Sequence, residues 1–173
     1  MNTKVLVILS LFVGIGAVLH AVVPPILFGV KPDMLLAMMF LGIILFPQAK
    51  YVLLLSLATG VISALTTAAP GGQIANMIDK PVTALIILGI FLFLNKKIRT
   101  TVTAPVLTAI GTIISGSIFL TVVSILAGLP EGGFISLFVT VVLPAAVVNT
   151  IMMIILYPIV QNIMKRSKLI TAS

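Results

Sequence analysis

The stretch VLVILSLFVGIGAVLHAVV, Val5 to Val23, carries no charged residue and ends at Pro24-Pro25. A helix crossing a bilayer needs roughly 20 apolar residues, and this run has that length. Proline lacks the N–H donor and clashes with the preceding turn, so the helix should stop there. The same punctuation recurs along the chain. Further apolar runs extend from Met34 to Phe46 before Pro47, and from Tyr51 to Ala69 before Pro70-Gly71-Gly72. Another opens near Asp79-Lys80-Pro81, with Pro81 suited to a first helical turn, and covers 80–94. Two more cover 101–129 and 134–164, and Pro144 and Pro158 inside the last predict a kink or break. The reading is an all-α, polytopic membrane protein: one domain, residues 1–173, with six transmembrane helices.

Composition agrees with lipid as the main solvent. Of 173 residues, 61% are hydrophobic and 8% charged, against about 25% charged in soluble domains. Mean hydropathy is +1.37. There is no cysteine for a disulfide or a thiolate metal site. The positively charged start, Met1 to Lys4, resembles the opening of a signal peptide. The following run is long and lacks a good small-x-small cleavage site, so it is read as the first span.

Ten Lys and Arg face three Asp and Glu, for a formal charge of +7. Eight of the ten fall at the termini and in the even loops: Lys4, Lys50, Lys96, Lys97, Arg99, Lys165, Arg166 and Lys168. Only Lys31 and Lys80 fall in the odd loops. The positive-inside rule then puts both termini in the cytoplasm and the loops after helices 1, 3 and 5 outside. The basic excess is a topology signal. It does not point to nucleic acid, because no soluble element offers a basic face.

Several chemistries are excluded on the same grounds. The acids Asp33, Asp79 and Glu131 lie outside these runs or at their outer edge, so no carboxylate is expected inside a helix. That argues against an ion-driven pump. There is no G-x-x-x-x-G-K-[ST] loop for ATP. One histidine and three scattered acids do not make a metal centre or a hydrolytic site. The chain is read as a non-enzyme without cofactor, and energy for uphill movement must come from another chain.

The remaining polar groups collect at the outer end. His20, Lys31 and Asp33 follow the first span. If Gln73 to Lys80 is helical, Gln73, Asn76 and Lys80 share a face, with Asp79 to one side. Asn149 follows the Pro144 irregularity. A zwitterionic amino acid needs a cation or amide donors for its carboxylate and an anion or carbonyls for its ammonium. Lys31, Lys80, Asp33, Asp79, Gln73, Asn76 and Asn149 can supply both. Phe28, Met34, Met38 and Met77 can supply an apolar wall. Plainer readings stand beside these. The Lys–Asp neighbours can pair at headgroup level, His20 can be a satisfied interface histidine, Asn149 can bond adjacent helices, and the methionines can be packing. Glu131 suits a solvated turn, and Tyr51 and Tyr157 suit interface anchors. Ser10, Gly14, Ala17 and Ala21 form a small-residue stripe on helix 1, open to packing within the bundle or to docking of another membrane subunit. Ser56/Gly60/Ser63 and Gly111/Ser115 suit internal packing.

The whole length resembles the substrate-binding S components of energy-coupling factor (ECF) importers, and most of all the TrpP-type tryptophan transporter family. The stretches that carry this are Gly16-Ala-Val-Leu-His-Ala-Val-Val-Pro-Pro25, Lys31-Pro-Asp33, Met38-Met-Phe-Leu-Gly-Ile-Ile-Leu-Phe-Pro47 and Thr59-Gly-Val-Ile-Ser-Ala-Leu-Thr-Thr67. Pro70-Gly-Gly-Gln-Ile-Ala-Asn-Met-Ile-Asp-Lys-Pro81 and Val142-Leu-Pro-Ala-Ala-Val-Val-Asn149 complete them, the former being the most specific. The resemblance implies a high-affinity S subunit for L-tryptophan in the bacterial cell membrane. It also implies a lid after helix 1 and a site lined by the loop after helix 3. Its partners would be a transmembrane coupling subunit and two ATPase subunits. The coupling subunit would dock on helix 1 through an Ala-x-x-x-Ala motif, here Ser10 and Gly14, followed by Ala17. The alternatives are a stand-alone facilitator or channel for an amino acid or vitamin, an S component for another small molecule, and a membrane scaffold without a ligand.

Overall fold

A computed structural model describes residues 1–24, 31–94, 100–130 and 132–166. Among these, every regular element is helical: α1 Thr3–Val22, α2 Met34–Leu45, α3 Ala49–Thr66, α4 Gly72–Leu94, α5 Thr100–Ala127, α6 Gly133–Leu137 and α7 Leu143–Arg166. A π-helical turn, Phe138–Val142, joins α6 to α7, so Gly133–Arg166 is one continuous helical run.

Five of the six rods are long and apolar enough to cross a membrane. The exception is α2. Its 12 residues rise only about 18 Å, short of a roughly 30 Å hydrocarbon core. Residues Met34 to Ile44 are all buried, and α2 touches α1, α3, α4, α5 and α7. A helix apolar on every side belongs inside other protein, and α2 is the central post of the bundle. The Asp33 side chain caps it by accepting from Leu36 N at 3.0 Å. The outer rods turn large apolar side chains such as Leu11, Val18, Leu57, Phe93 and Ile125 away from the core.

Two close approaches set the packing. Gly60 of α3 faces α4, where a Cβ would stand 3.2 Å from the Asn76 carbonyl oxygen. Gly111 of α5 lies against the Phe40 ring of α2, which a Cβ would strike. The internal-packing reading of these two small residues holds.

Three expectations need correction. First, α4 begins at Gly72, not near residue 80, and runs through Pro81. Losing one backbone N–H at Pro81 is tolerated because the buried face of α4 is packed against α3 and α5. Asp79 is therefore a fully buried carboxylate within a spanning-length helix. The case against ion coupling from the lack of such a group falls with it. Second, the irregularity expected at Pro144 is not a break, since the helix is continuous through it. The chain widens into the π turn just before it, with Leu143 N donating to Phe138 O. Third, Tyr51 and Tyr157 are buried, not interface anchors. The Tyr51 hydroxyl accepts from Asn2 N at 2.8 Å, and that of Tyr157 from Gln161 Nε2 at 3.1 Å.

Candidate functional site

The helical start of α4 puts Asn76, Asp79, Lys80 and Thr83 on its buried face, at the i, i+3, i+4 and i+7 spacing of one helix stripe. The short α2 starts inside the bundle, with Pro32 and Met34 buried on either side of Asp33. There Asp33 meets the ninth residue of α4: Lys80 Nζ lies 3.1 Å from Asp33 Oδ2. The same ammonium lies 2.9 Å from Asp79 Oδ2 and 3.4 Å from Ser115 Oγ of α5. Ser115 Oγ donates to Asp79 Oδ2 at 2.6 Å, and Thr83 Oγ1 donates to Asp79 Oδ1 at 2.7 Å. Buried charge is tolerated only when paired and hydrogen-bonded, and this cluster meets both conditions.

Asn149 of α7 is fully buried. Its Oδ1 accepts from Asp33 N at 3.0 Å, and its Nδ2 donates to Thr112 Oγ1 of α5 at 3.2 Å. One amide thereby joins α7, α2 and α5. Asn76 Nδ2 donates to Gly72 O at 2.9 Å and to Ser63 O of α3 at 3.4 Å. His20 Nδ1 is 3.8 Å from Asp33 Oδ1, beyond hydrogen-bond reach, and has no hydrogen-bond partner among the described residues.

These groups form the polar floor of a cavity of about 450 Å³, within the roughly 300–1,000 Å³ typical of small-molecule sites. His20, Lys31, Asp33, Asn76, Asp79, Lys80 and Asn149 all line it. Phe119, Leu120 and Val123 of α5 form one apolar wall, and Leu137, Val141, Val142 and Ala145 form another. The π turn presents Val141 and Val142 there. The cavity lies at the end where α1 and α3 finish and α4 begins, since His20, Thr66, Thr67, Ala69 and Pro70 border it.

Other expected site residues lie elsewhere. Gln73 shares the Asn76–Lys80 spacing but sits in the first turn of α4, exposed and outside the lining. Met34 and Met38 are packed into the bundle, Met38 against Gly16 of α1, and neither lines the cavity. Met77 is exposed on the far face of α4. Phe28 and Glu131 lie outside the described residues. Reading the sequence missed Thr83, Thr112, Ser115 and Phe119. A signal existed on α5, where Thr108, Thr112 and Ser115 fall on one helix face and are all buried.

On α1, Ser10 and Gly14 are exposed, and a Cβ on Gly14 would meet nothing within 4 Å. Ala17 is partly buried. Neither of the first two residues of the stripe is buried in the core; Ser10 borders a groove between α1 and α3 with Leu54, Leu55 and Ala58. Among the described residues no group of three or more His, Cys, Asp or Glu is placed to hold a metal.

A family model described as "Tryptophan transporter TrpP" matches residues 2–165. The chain belongs to the TrpP tryptophan transporter family. A "Probable tryptophan transport protein" of Bacillus subtilis (strain 168) is 58% identical over 173 residues, covering 100% of this chain and 99% of the relative. A protein of the same description from Clostridium acetobutylicum is 42% identical, covering 95% and 96%. One from Clostridium perfringens is 35% identical, covering 98% and 97%. No solved structure matches. TrpP family membership and the apolar helices together make this a multi-pass transport protein of the bacterial cell membrane.

Proposed function

We propose that this chain is the substrate-binding S component of an ECF-type importer, and that its substrate is L-tryptophan. The observation that carries the reading is the cavity itself, with acid, ammonium and amide groups at one end and Phe119 with aliphatic side chains at the other. A zwitterion bearing an indole matches that division. Asp33, Lys80, Asn149, Asn76 and Lys31 hold the amino-acid end, with Asp79 behind Lys80. His20 stands beside Asp33 at the rim. The names of the relatives support the choice of tryptophan.

Six helices cross or enter the membrane in this reading, with both termini cytoplasmic. The cavity then opens outward, toward the loops that carry few basic residues. Energy comes from a coupling subunit and two ATPase subunits. The outward Ser10 and Gly14 on α1 support a docking face for the coupling subunit, because small residues allow close helix approach.

A second reading is favoured by one observation. Asp79 is a buried carboxylate within α4, the kind of group that ion-coupled carriers use. A stand-alone transporter would then need no partner. Tryptophan uptake into liposomes separates the two. The S-component reading predicts ATP-dependent accumulation only when the coupling and ATPase subunits are co-reconstituted. Uptake by this chain alone would overturn it in favour of the second reading.

A further inference from the structure

Lys80 is the cation best placed to receive a substrate carboxylate, yet its donors are already used. An ammonium has three protons, and Lys80 Nζ has three oxygen neighbours: Asp79 Oδ2, Asp33 Oδ2 and Ser115 Oγ. A carboxylate can reach it only by replacing one of them.

The three are not equally replaceable. The Asp79 side chain is 0% exposed, and both its oxygens are tied, Oδ1 by Thr83 and Oδ2 by Ser115. Ser115 is buried and fixed by its bond to Asp79. The Asp33 side chain is 29% exposed and lies on the cavity wall. The weak link is the Asp33–Lys80 contact. If a carboxylate took the place of Asp33 on Lys80, the Asp33 charge would be left unmatched in a half-buried site. A cation must then arrive with the anion.

We propose that an α-amino-acid zwitterion inserts into the Asp33–Lys80 ion pair, its carboxylate on Lys80 Nζ and its ammonium on Asp33 Oδ2. This rests on the amino-acid reading above and adds the mode of binding. One internal ion pair is exchanged for two with the ligand. Asp33 need not move, because its N–H is held by Asn149 Oδ1 and its Oδ1 by Leu36 N. The adjustment falls on the flexible four-carbon stem of Lys80. Asp79 and Ser115 keep the ammonium at the site during the exchange. Lys31, Lys80, Asp33 and Asp79 sum to zero charge, so a zwitterion enters without leaving a net charge buried. An analogue lacking either charged group strands one member of the pair.

The test is calorimetry on the purified full chain with L-tryptophan, tryptamine and indole-3-propionate. The wild-type chain should bind tryptophan at least about 100-fold more tightly than either analogue, because a buried partner left unpaired costs that much or more. Asp33→Asn removes the carboxylate that holds the ammonium. The preference for tryptophan over indole-3-propionate should then shrink by about tenfold or more. Equal wild-type affinity for all three compounds would overturn insertion while leaving a tryptophan site intact. An unchanged preference in Asp33→Asn would do the same. Absence of any tryptophan binding by the wild-type chain would instead remove the amino-acid reading, and insertion with it. The wild-type comparison needs no variant, so it stands even if Asp33→Asn fails to fold.

Discussion

Lys80 Nζ and Asp33 Oδ2 lie 3.1 Å apart although 47 residues separate them in the chain. This contact joins the buried face of α4 to the N-terminus of α2, and α2 is the post around which the bundle is built. Stability and binding should therefore meet at one side chain. Lys80→Ala leaves two carboxylates without their cation, one of them fully buried. Breaking a buried pair from one side costs about 3–5 kcal/mol. Denaturant unfolding in detergent should show that loss, and tryptophan affinity should fall strongly. A variant of unchanged stability and affinity would remove Lys80 from both roles.

Phe119 gives a prediction for the other end of the cavity. It is the one Phe, Tyr or Trp side chain among the described lining residues, and aromatic pairs contribute about 0.5–1.5 kcal/mol beyond the area they bury. Phe119→Ala should weaken tryptophan binding by about tenfold or more, and weaken binding of a small aliphatic amino acid much less. Equal losses for both, measured by competition binding, would mean that the indole lies elsewhere.

Gly14 tests the proposed docking face apart from the binding site. Its Cα faces open space, with nothing within 4 Å of an added Cβ, and among the described elements its helix contacts only α2 and α3. Gly14→Leu should leave folding and tryptophan affinity unchanged and prevent co-purification with the coupling subunit. Complexes that survive the substitution would exclude this face of α1 as the docking surface.

Two helical glycines should respond in opposite directions to the same substitution. Gly111→Ala drives a methyl into the Phe40 ring, whereas Gly89→Ala meets nothing within 4 Å. Overpacking a core typically costs about 1–3 kcal/mol, while Ala at an open helical position gains about 0.5–1 kcal/mol over Gly. Thermal unfolding in detergent should rank them Gly89→Ala, wild type, Gly111→Ala. The reverse order would contradict the α2–α5 packing.

The helical architecture was legible because proline pairs and Pro-Gly steps bracket apolar runs, and because lipid demands that backbone groups be satisfied within each segment. Two features were not. Pro81 looks like a helix start, since proline is favoured there, yet α4 begins nine residues earlier. That shift moves Asp79 and Lys80 from a loop into the bundle. The run Met34 to Phe46 looks like a short span, and hydropathy cannot distinguish a lipid-facing helix from one enclosed by protein. The charged candidates Asp33, Asp79 and Lys80 were visible as rare ionisable groups in an apolar chain. Their convergence was not, because it depends on how deeply the short α2 sits. Ser115 and Thr112 were overlooked because small hydroxyl residues in a membrane helix suit packing as readily as ligand sites. Gln73 has the right spacing and the wrong height along α4.

The most direct test of the account is a calorimetric titration of the purified chain with L-tryptophan. Saturable binding at one site per chain, weakened strongly by Lys80→Ala, is the predicted result. No binding of tryptophan, with tight binding of a different amino acid or a vitamin, would contradict it.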